Sequence, residues 1–277
     1  MLTYIIKKLK LYIYQFNGDK NSKAYIKFQK KKWSENLNYK NNGEILVDFF
    51  QNYPFIYMWA FLVNFLSKKK KLKIKFFYFP LYNNFISKIK VHRNNLAKIY
   101  NAFNAECGLD EINFKKKNKI DNVVERKFNL IKNKKNLINF KYKNIVIGDL
   151  IYDSYLRANF KCTVNLSDVK LFQLFKRSIY IFEEIEDYIK KNNVKFIIPS
   201  HVQYIQYALM VRIACRNNIK VIKLHSKDWG NSKFRLTLID PKRPHENGNE
   251  YYNFRKIFRK IKNRKKNLLV GRQILLN

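Results

Sequence analysis

The sequence predicts an α/β chain built on a Rossmann-like parallel sheet with helices on both faces. Three observations predict it. Short runs dominated by apolar residues, at 44–49, 72–79, 144–148, 195–199 and 219–224, read as strands buried on both sides. Segments with helical periodicity separate most of these runs. Start signals stand at several joins, with Pro54 in a first turn, Ser167 and Asp168 ahead of a long apolar-faced segment, and Ser200 with Gln203 in the spacing of a capping box.

In chain order, residues 1–40 form a basic, aromatic-rich lead-in without a clear period. From Gly43 the pattern turns regular: strand 44–49, helix 54–66, a lysine run at 68–71 read as a solvated loop, then strand 72–79. A helix over about 94–106 follows. The lysine-rich stretch to about residue 143 supports no firm assignment, and the run 144–148 reads as a strand that stops at polar residues. Ser167 and Asp168 then open a long helix whose Leu171, Leu174, Phe175, Phe182, Ile185 and Ile189 share one face. Strand 195–199, helix 201–216 and strand 219–224 make a second βαβ unit. A short strand over 234–239, a Pro-containing loop over 241–248 and a basic helix over about 251–265 end the pattern. Three segments result: a basic extension 1–40, a Rossmann-like domain 41–240, and a basic helix and linker 241–277 leading toward a second domain not contained in the sequence.

Composition narrows the partners. The chain has 277 residues, of which 47% are hydrophobic, which excludes wholesale disorder. Its 57 Lys and Arg against 20 Asp and Glu give a formal charge of +37, which favours nucleic acid, anionic lipid or acidic polysaccharide. An AT-rich coding bias, visible as many Lys, Asn, Ile, Phe and Tyr with few Gly, Pro, Ala and Trp, explains that charge equally well. No helix-turn-helix, RNA-recognition or zinc-finger pattern accompanies it, so specific nucleic-acid binding is not expected. Cys107, Cys162 and Cys215 stand far apart and read as reduced thiols of a cytoplasmic protein. The first residues lack the apolar core and cleavage site of a signal peptide, and the most apolar stretch, 53–66, falls short of the ~20 residues of a spanning helix.

Several chemistries have no motif here. The glycines form neither G-x-G-x-x-G nor G-x-x-x-x-G-K, no D-x-D pair is present, and the four histidines lack metal spacing. No cofactor or metal site is therefore expected in this chain.

Polar groups gather at two joins. Asp149, Asp153 and Arg157 follow the run 144–148 at intervals of four, which on a helix is one stripe. His201 follows the strand 195–199 and would open a helix, where the dipole favours a neutral imidazole. Tyr204 and Tyr207 lie three apart beyond it. The plainer reading of each is local: a histidine packed beside a cap, an Asp153–Arg157 ion pair, an Arg212 in a surface pair and two half-buried tyrosines.

The run GDLIYDSYLR (148–157), TVNL at 163–166 and SHVQYIQYALMVRIA (200–214) with its following strand together resemble the N-terminal half of bacterial capsule and surface-polysaccharide biosynthesis proteins, similar to glycosyltransferases of the GT-B type. The resemblance covers about residues 43–277. It implies an acceptor-side domain, a sugar nucleotide bound only by a second domain or a donor-binding partner chain, and an acceptor that is a glycan or lipid-linked glycan. On that footing His201 is the candidate base, with Asp149 or Asp153 as the alternative. Arg157, Tyr204 and Tyr207 would bind acceptor. The expected place is the cytoplasm, peripheral on the inner face of the membrane, and the expected state is a truncated or split enzyme inactive alone. Two rivals stay open: a basic nucleic-acid-binding protein and a non-catalytic membrane-surface assembly protein.

Overall fold

Ile45, Leu46 and Val47 explain why one strand lies at the centre: all three are fully buried, and they alternate between two separate apolar layers. The computed structural model describes residues 20–33, 42–50, 53–80, 95–111, 118–226, 234–242 and 244. These belong to one compact unit that ends at Pro244. The basic helix expected over 251–265 and most of the lead-in 1–40 lie outside the described residues.

The elements run α1 (Lys20–Lys32), β1 (Glu44–Asp48), α2 (Tyr53–Lys70), β2 (Lys73–Tyr78), α3 (Asn95–Ala102) and β3 (Ala105–Asp110). A helical stretch follows, with α4 (Asn118–Asn129), α5 (Lys134–Ile138), the short strands β4 (Lys141–Tyr142) and β5 (Ile145–Val146), α6 (Gly148–Asn159) and α7 (Val169–Lys191). Then come β6 (Val194–Ile198), a π-helical turn over Tyr204–Ala208, α8 (Leu209–Arg216), β7 (Lys220–Ser226) and β8 (Phe234–Leu238).

Six strands form one sheet in the order β3-β2-β1-β6-β7-β8. The first five are parallel and β8 runs antiparallel to β7. The chain is thus an α/β fold with a Rossmann-like, mostly parallel sheet flanked by helices. Helices α2 and α3 pack Ile56, Trp59, Val63, Ile99 and Tyr100 on the face carrying Ile45, Val47, Ile74 and Phe76. Helices α4 to α8 cover the other face, where Phe175, Ile179, Phe182 and Met210 meet Leu46, Phe77, Ile197 and Val221. Burying each such side chain contributes about 1.5–3 kcal/mol, an upper bound because unfolded chains are already partly compact.

Several sequence expectations are corrected. The run 144–148 does not join the main sheet: β5 is a two-residue strand pairing antiparallel with β4, and Ile145 and Ile147 bury themselves among the helices. The helix expected to reach residue 106 ends at Ala102, because Asn104 takes a left-handed φ of 67° and the chain re-enters the sheet as β3. The lysines at 68–70 form the last turn of α2, where ammonium groups meet the negative end of the helix dipole. The lead-in contains a helix, α1, whose buried Ser22 and Gln29 share its inner face.

Helix α6 starts where nothing but glycine fits. No side chain caps its first turn, and a Cβ on Gly148 would stand 1.7 Å from the Leu137 carbonyl oxygen and 2.8 Å from the Phe140 nitrogen. Both are backbone atoms, so relief requires moving α5. Gly148→Ala is expected to lower unfolding free energy by about 1–3 kcal/mol, measured by urea titration followed by circular dichroism. An unchanged midpoint would show that the α5–α6 corner is looser than this contact requires.

Candidate functional site

Strand order reverses between β1 and β6. The helices next to β1 go to one face and those next to β6 to the other, so the carboxyl ends of these two strands form the topological switch point at which α/β sheets open a crevice. The last residue of β1 is Asp48, and the residues after β6 are Pro199, Ser200 and His201.

Asp48 is buried, and its carboxyl is raised from 3.8 to about 7 by burial, against the lowering effect of its hydrogen bonds from Ser200. Ser200 donates its backbone N–H at 3.2 Å and its hydroxyl to the same oxygen, Oδ2. The β1 exit is fixed from the other side by Tyr100, whose hydroxyl donates to the Asp48 carbonyl at 2.6 Å and accepts from the Phe50 N–H at 3.1 Å. Nearby, Arg177 of α7 grips Glu111 with two bonds of 2.6 Å and also donates to the Pro80 carbonyl, holding the ends of β2 and β3.

His201 continues the chain of polar groups. Its Nδ1 lies 2.9 Å from Ser200 Oγ, and Nε2 has no hydrogen-bond partner among the described residues. The ring stands 5.1 Å from Phe50 and 5.2 Å from Tyr207, centroid to centroid. Burial, then the positive fields of Lys223 and Arg157, pull its pKa from 6.5 down to about 4. His201 is therefore neutral at physiological pH, as expected, but for a different reason. It stands three residues before the π-helical turn begins, so no helix dipole is needed. With Asp48 ionised, the hydrogen-bond direction runs from Nδ1–H to Ser200 and from Ser200 to Asp48, leaving the Nε2 lone pair free. With Asp48 protonated, the direction can reverse.

The capping box expected at Ser200 and Gln203 does not form. Ser200 is engaged by Asp48, and Gln203 caps the turn without a side-chain bond. The turn is held instead by Ser154 of α6, whose hydroxyl accepts from the Ile205 N–H at 2.9 Å. Tyr204, with a left-handed φ of 62°, presents its ring to Arg157, whose guanidinium carbon lies 4.5 Å from the centroid. His201, Tyr204, Tyr207 and Arg157 are thus joined by ring contacts and fields at one rim.

Asp149 and Asp153 behave differently. Both Asp149 oxygens accept from Arg212 at 2.6 Å, and Arg212 also donates to the Val146 carbonyl at 2.7 Å. Arg212 is 5% exposed and Asp149 35%, so this pair is an anchor between α6 and α8 rather than the surface pair expected for Arg212. A carboxylate occupied in this way is poorly placed to take a proton. Asp153 is exposed; burial of its carboxyl end and the Asp149 charge raise its pKa, while Arg212 lowers it. No ion pair joins it to Arg157. Asp48 and Ser200 join His201 in the candidate site through hydrogen bonds that the sequence reading missed; the available signal was a lone acid ending the apolar run ILVD.

Among the described residues no group of three or more His, Cys, Asp or Glu side chains is placed to hold a metal ion, and no helix is long and apolar enough to cross a membrane. A groove of about 650 Å³ lies at the opposite, amino edge of the sheet, bordered by Asn42, Lys70, Asn193, Lys195, Asn218 and Lys220. Its lining has amide and ammonium donors but neither carboxylate nor imidazole. Compared with protein families, curated proteins and solved structures, the chain matches none.

The opposed shifts of Asp48 and His201 have a measurable signature. Between about pH 4 and 6.5 the folded chain carries a proton on Asp48 and none on His201, whereas in the unfolded chain the histidine holds it. Asp48 therefore makes folding less favourable as pH rises toward 7, and His201 makes it more favourable as pH rises toward 6.5. Relative to wild type, His201→Gln should lose stability as pH increases across this window, and Asp48→Asn should gain it. Urea midpoints at several pH values check this; parallel profiles for the three proteins would contradict it.

Proposed function

We propose that the β1–β6 crevice is the acceptor side of a glycosyl transfer reaction, in a Rossmann-like domain that acts with a separate donor-binding domain. The observation that carries the reading is His201: a neutral imidazole at the switch-point crevice, its Nδ1 engaged through Ser200 to buried Asp48 and its Nε2 free.

In this reading Nε2 accepts the proton of an acceptor hydroxyl as that oxygen attacks the anomeric carbon, and the bond to the donor diphosphate breaks. Ser200 and ionised Asp48 keep the tautomer that can do so and stabilise the imidazolium formed. Phe50, Tyr204 and Tyr207 offer ring faces and edges to a sugar, and Arg157 on Tyr204 supplies positive charge to an anionic acceptor. Arg157 and Lys223 also weaken the base, so an anionic acceptor that offsets their field would raise the His201 pKa toward neutrality on binding. The donor would be a sugar nucleotide held elsewhere, since no glycine-rich phosphate loop is present in the sequence. The natural acceptors in this scheme are surface-polysaccharide glycans or lipid-linked glycans, met at the inner face of the cytoplasmic membrane.

The test uses the full chain and oligosaccharides released from bacterial surface polysaccharide. Saturation-transfer NMR should detect binding, weakened roughly tenfold by Tyr207→Ala, a loss of about 1.4 kcal/mol in line with one sugar–aromatic contact. His201→Gln should leave that binding within about twofold but abolish transfer once a donor-binding partner is supplied. The chain alone should turn over no sugar nucleotide. Turnover without a partner, or glycan binding indifferent to Tyr207, would overturn the reading.

A further inference from the structure

Away from the crevice, helices α1 and α2 leave large apolar side chains in solvent. Phe28, Phe61 and Phe65 are 52%, 46% and 60% exposed. Tyr57, Phe61 and Phe65 follow one another at intervals of four on α2, so they line a single stripe. Helix α1 borders that stripe: Tyr25 stacks near Tyr57 at 4.3 Å, and Trp33 meets Phe61 edge-on at 5.9 Å. Phe28 lies one turn beyond Tyr25.

Both helices that frame this stripe are rich in lysine. Helix α1 contains Lys20, Lys23, Lys27, Lys30, Lys31 and Lys32, the last turn of α2 contains Lys68, Lys69 and Lys70, and neither helix has an Asp or Glu. Lys68 and Lys69 place their ammonium groups 5.8 Å from the ring centres of Trp33 and Phe65. Exposed aromatics on two helices that carry nine lysines and no acid of their own match the chemistry of an anionic lipid–water interface: apolar side chains enter the headgroup–acyl boundary while long lysine stems keep their charges at the phosphates. Lysines suit headgroups as mobile point charges, and the face lacks the arginine forks typical of base or phosphodiester recognition.

We propose that the α1–α2 face docks the protein on an anionic bilayer, with Phe28, Phe61 and Phe65 entering the interface and the lysines of both helices holding the headgroups. This names the surface behind the membrane placement proposed above. It is separable from the transfer reading, because glycan binding is measured without vesicles.

The full chain is tested by co-sedimentation with phosphatidylcholine vesicles with and without about 30% phosphatidylglycerol, in low salt and in about 0.5 M salt, where bulk charge attraction is screened to a few ångströms. Wild type should bind the anionic vesicles and retain measurable binding in high salt. Phe61→Ser with Phe65→Ser should lower the high-salt partition coefficient roughly tenfold or more, and Lys68→Gln, Lys69→Gln and Lys70→Gln together should lower it in low salt. Because these side chains are exposed, circular dichroism should be unchanged. Phe65→Trp gives a second readout, since brominated lipid should quench its fluorescence. Equal binding by the double-serine variant would assign the effect to general charge and overturn the proposal. So would absent wild-type binding, loss of poly(U) RNA binding in that variant without loss of vesicle binding, or self-association abolished by the same substitutions.

Discussion

The parallel pairing of β1 with β6 is the constraint from which the architecture and the site both follow. It brings residues 44–48 beside residues 194–198, across almost the whole described fold, and sends the adjoining helices to opposite faces. Strand ends at such a switch point are where α/β sheets generally gather ligands, since the adjoining crossovers leave toward opposite faces. At that point the chain carries Asp48, a buried acid whose desolvation is costly and whose partners, the Ser200 hydroxyl and amide, come from the loop after the neighbouring strand. An apolar residue would pack there at lower cost. What the acid adds is orientation: it holds Ser200, and through Ser200 the ring of His201.

Much of the scaffold was legible because burial on both faces leaves a local mark. The runs at 44–49, 72–79, 195–199 and 219–224 are rich in apolar residues even where Lys73, Lys75, Lys220 and Lys223 interrupt them, and each contributes to the sheet. Helix α7 begins after Asp168 as expected, because that side chain accepts from the Lys170 N–H at 2.8 Å, a bond between near neighbours. Strand β3 was hidden by Glu106 and Gly108 in the sequence AECGLD, which reads neither as apolar nor as alternating. Helices α1 and α4 were hidden by charge. The run 144–148 misled for the opposite reason: its isoleucines are as apolar as those of a strand, but they fill the helical layer.

The site was legible in its local parts and obscure in its long-range ones. His201, Tyr207, Tyr204 and Arg157 are brought to one rim, since the turn at 204–208 packs on α6 through the Ser154–Ile205 bond. The capping-box spacing at Ser200 and Gln203 is real in the sequence, but a buried carboxyl 152 residues away takes the hydroxyl. Asp149 shares a stripe with Arg157, yet Arg212, on another helix, claims both its oxygens. In each case the competing partner is distant in sequence, and spacing rules do not register it. The net charge of +37 is likewise ambiguous as a sum. At α1 and α2 the charge is local: the two helices carry nine lysines and no acid, beside exposed aromatic rings.

The account depends most on the polar chain from His201 to Asp48, and imidazole nitrogen NMR tests it directly. Spectra of the 15N-labelled chain near pH 8.5, above the Asp48 value of about 7, should show His201 as the Nδ1–H tautomer with Nε2 unprotonated. The signal should stay neutral on acidification until about pH 4. A resonance assigned through loss in His201→Gln that instead titrates near 6.5, or carries its proton on Nε2 at pH 8.5, would contradict the arrangement.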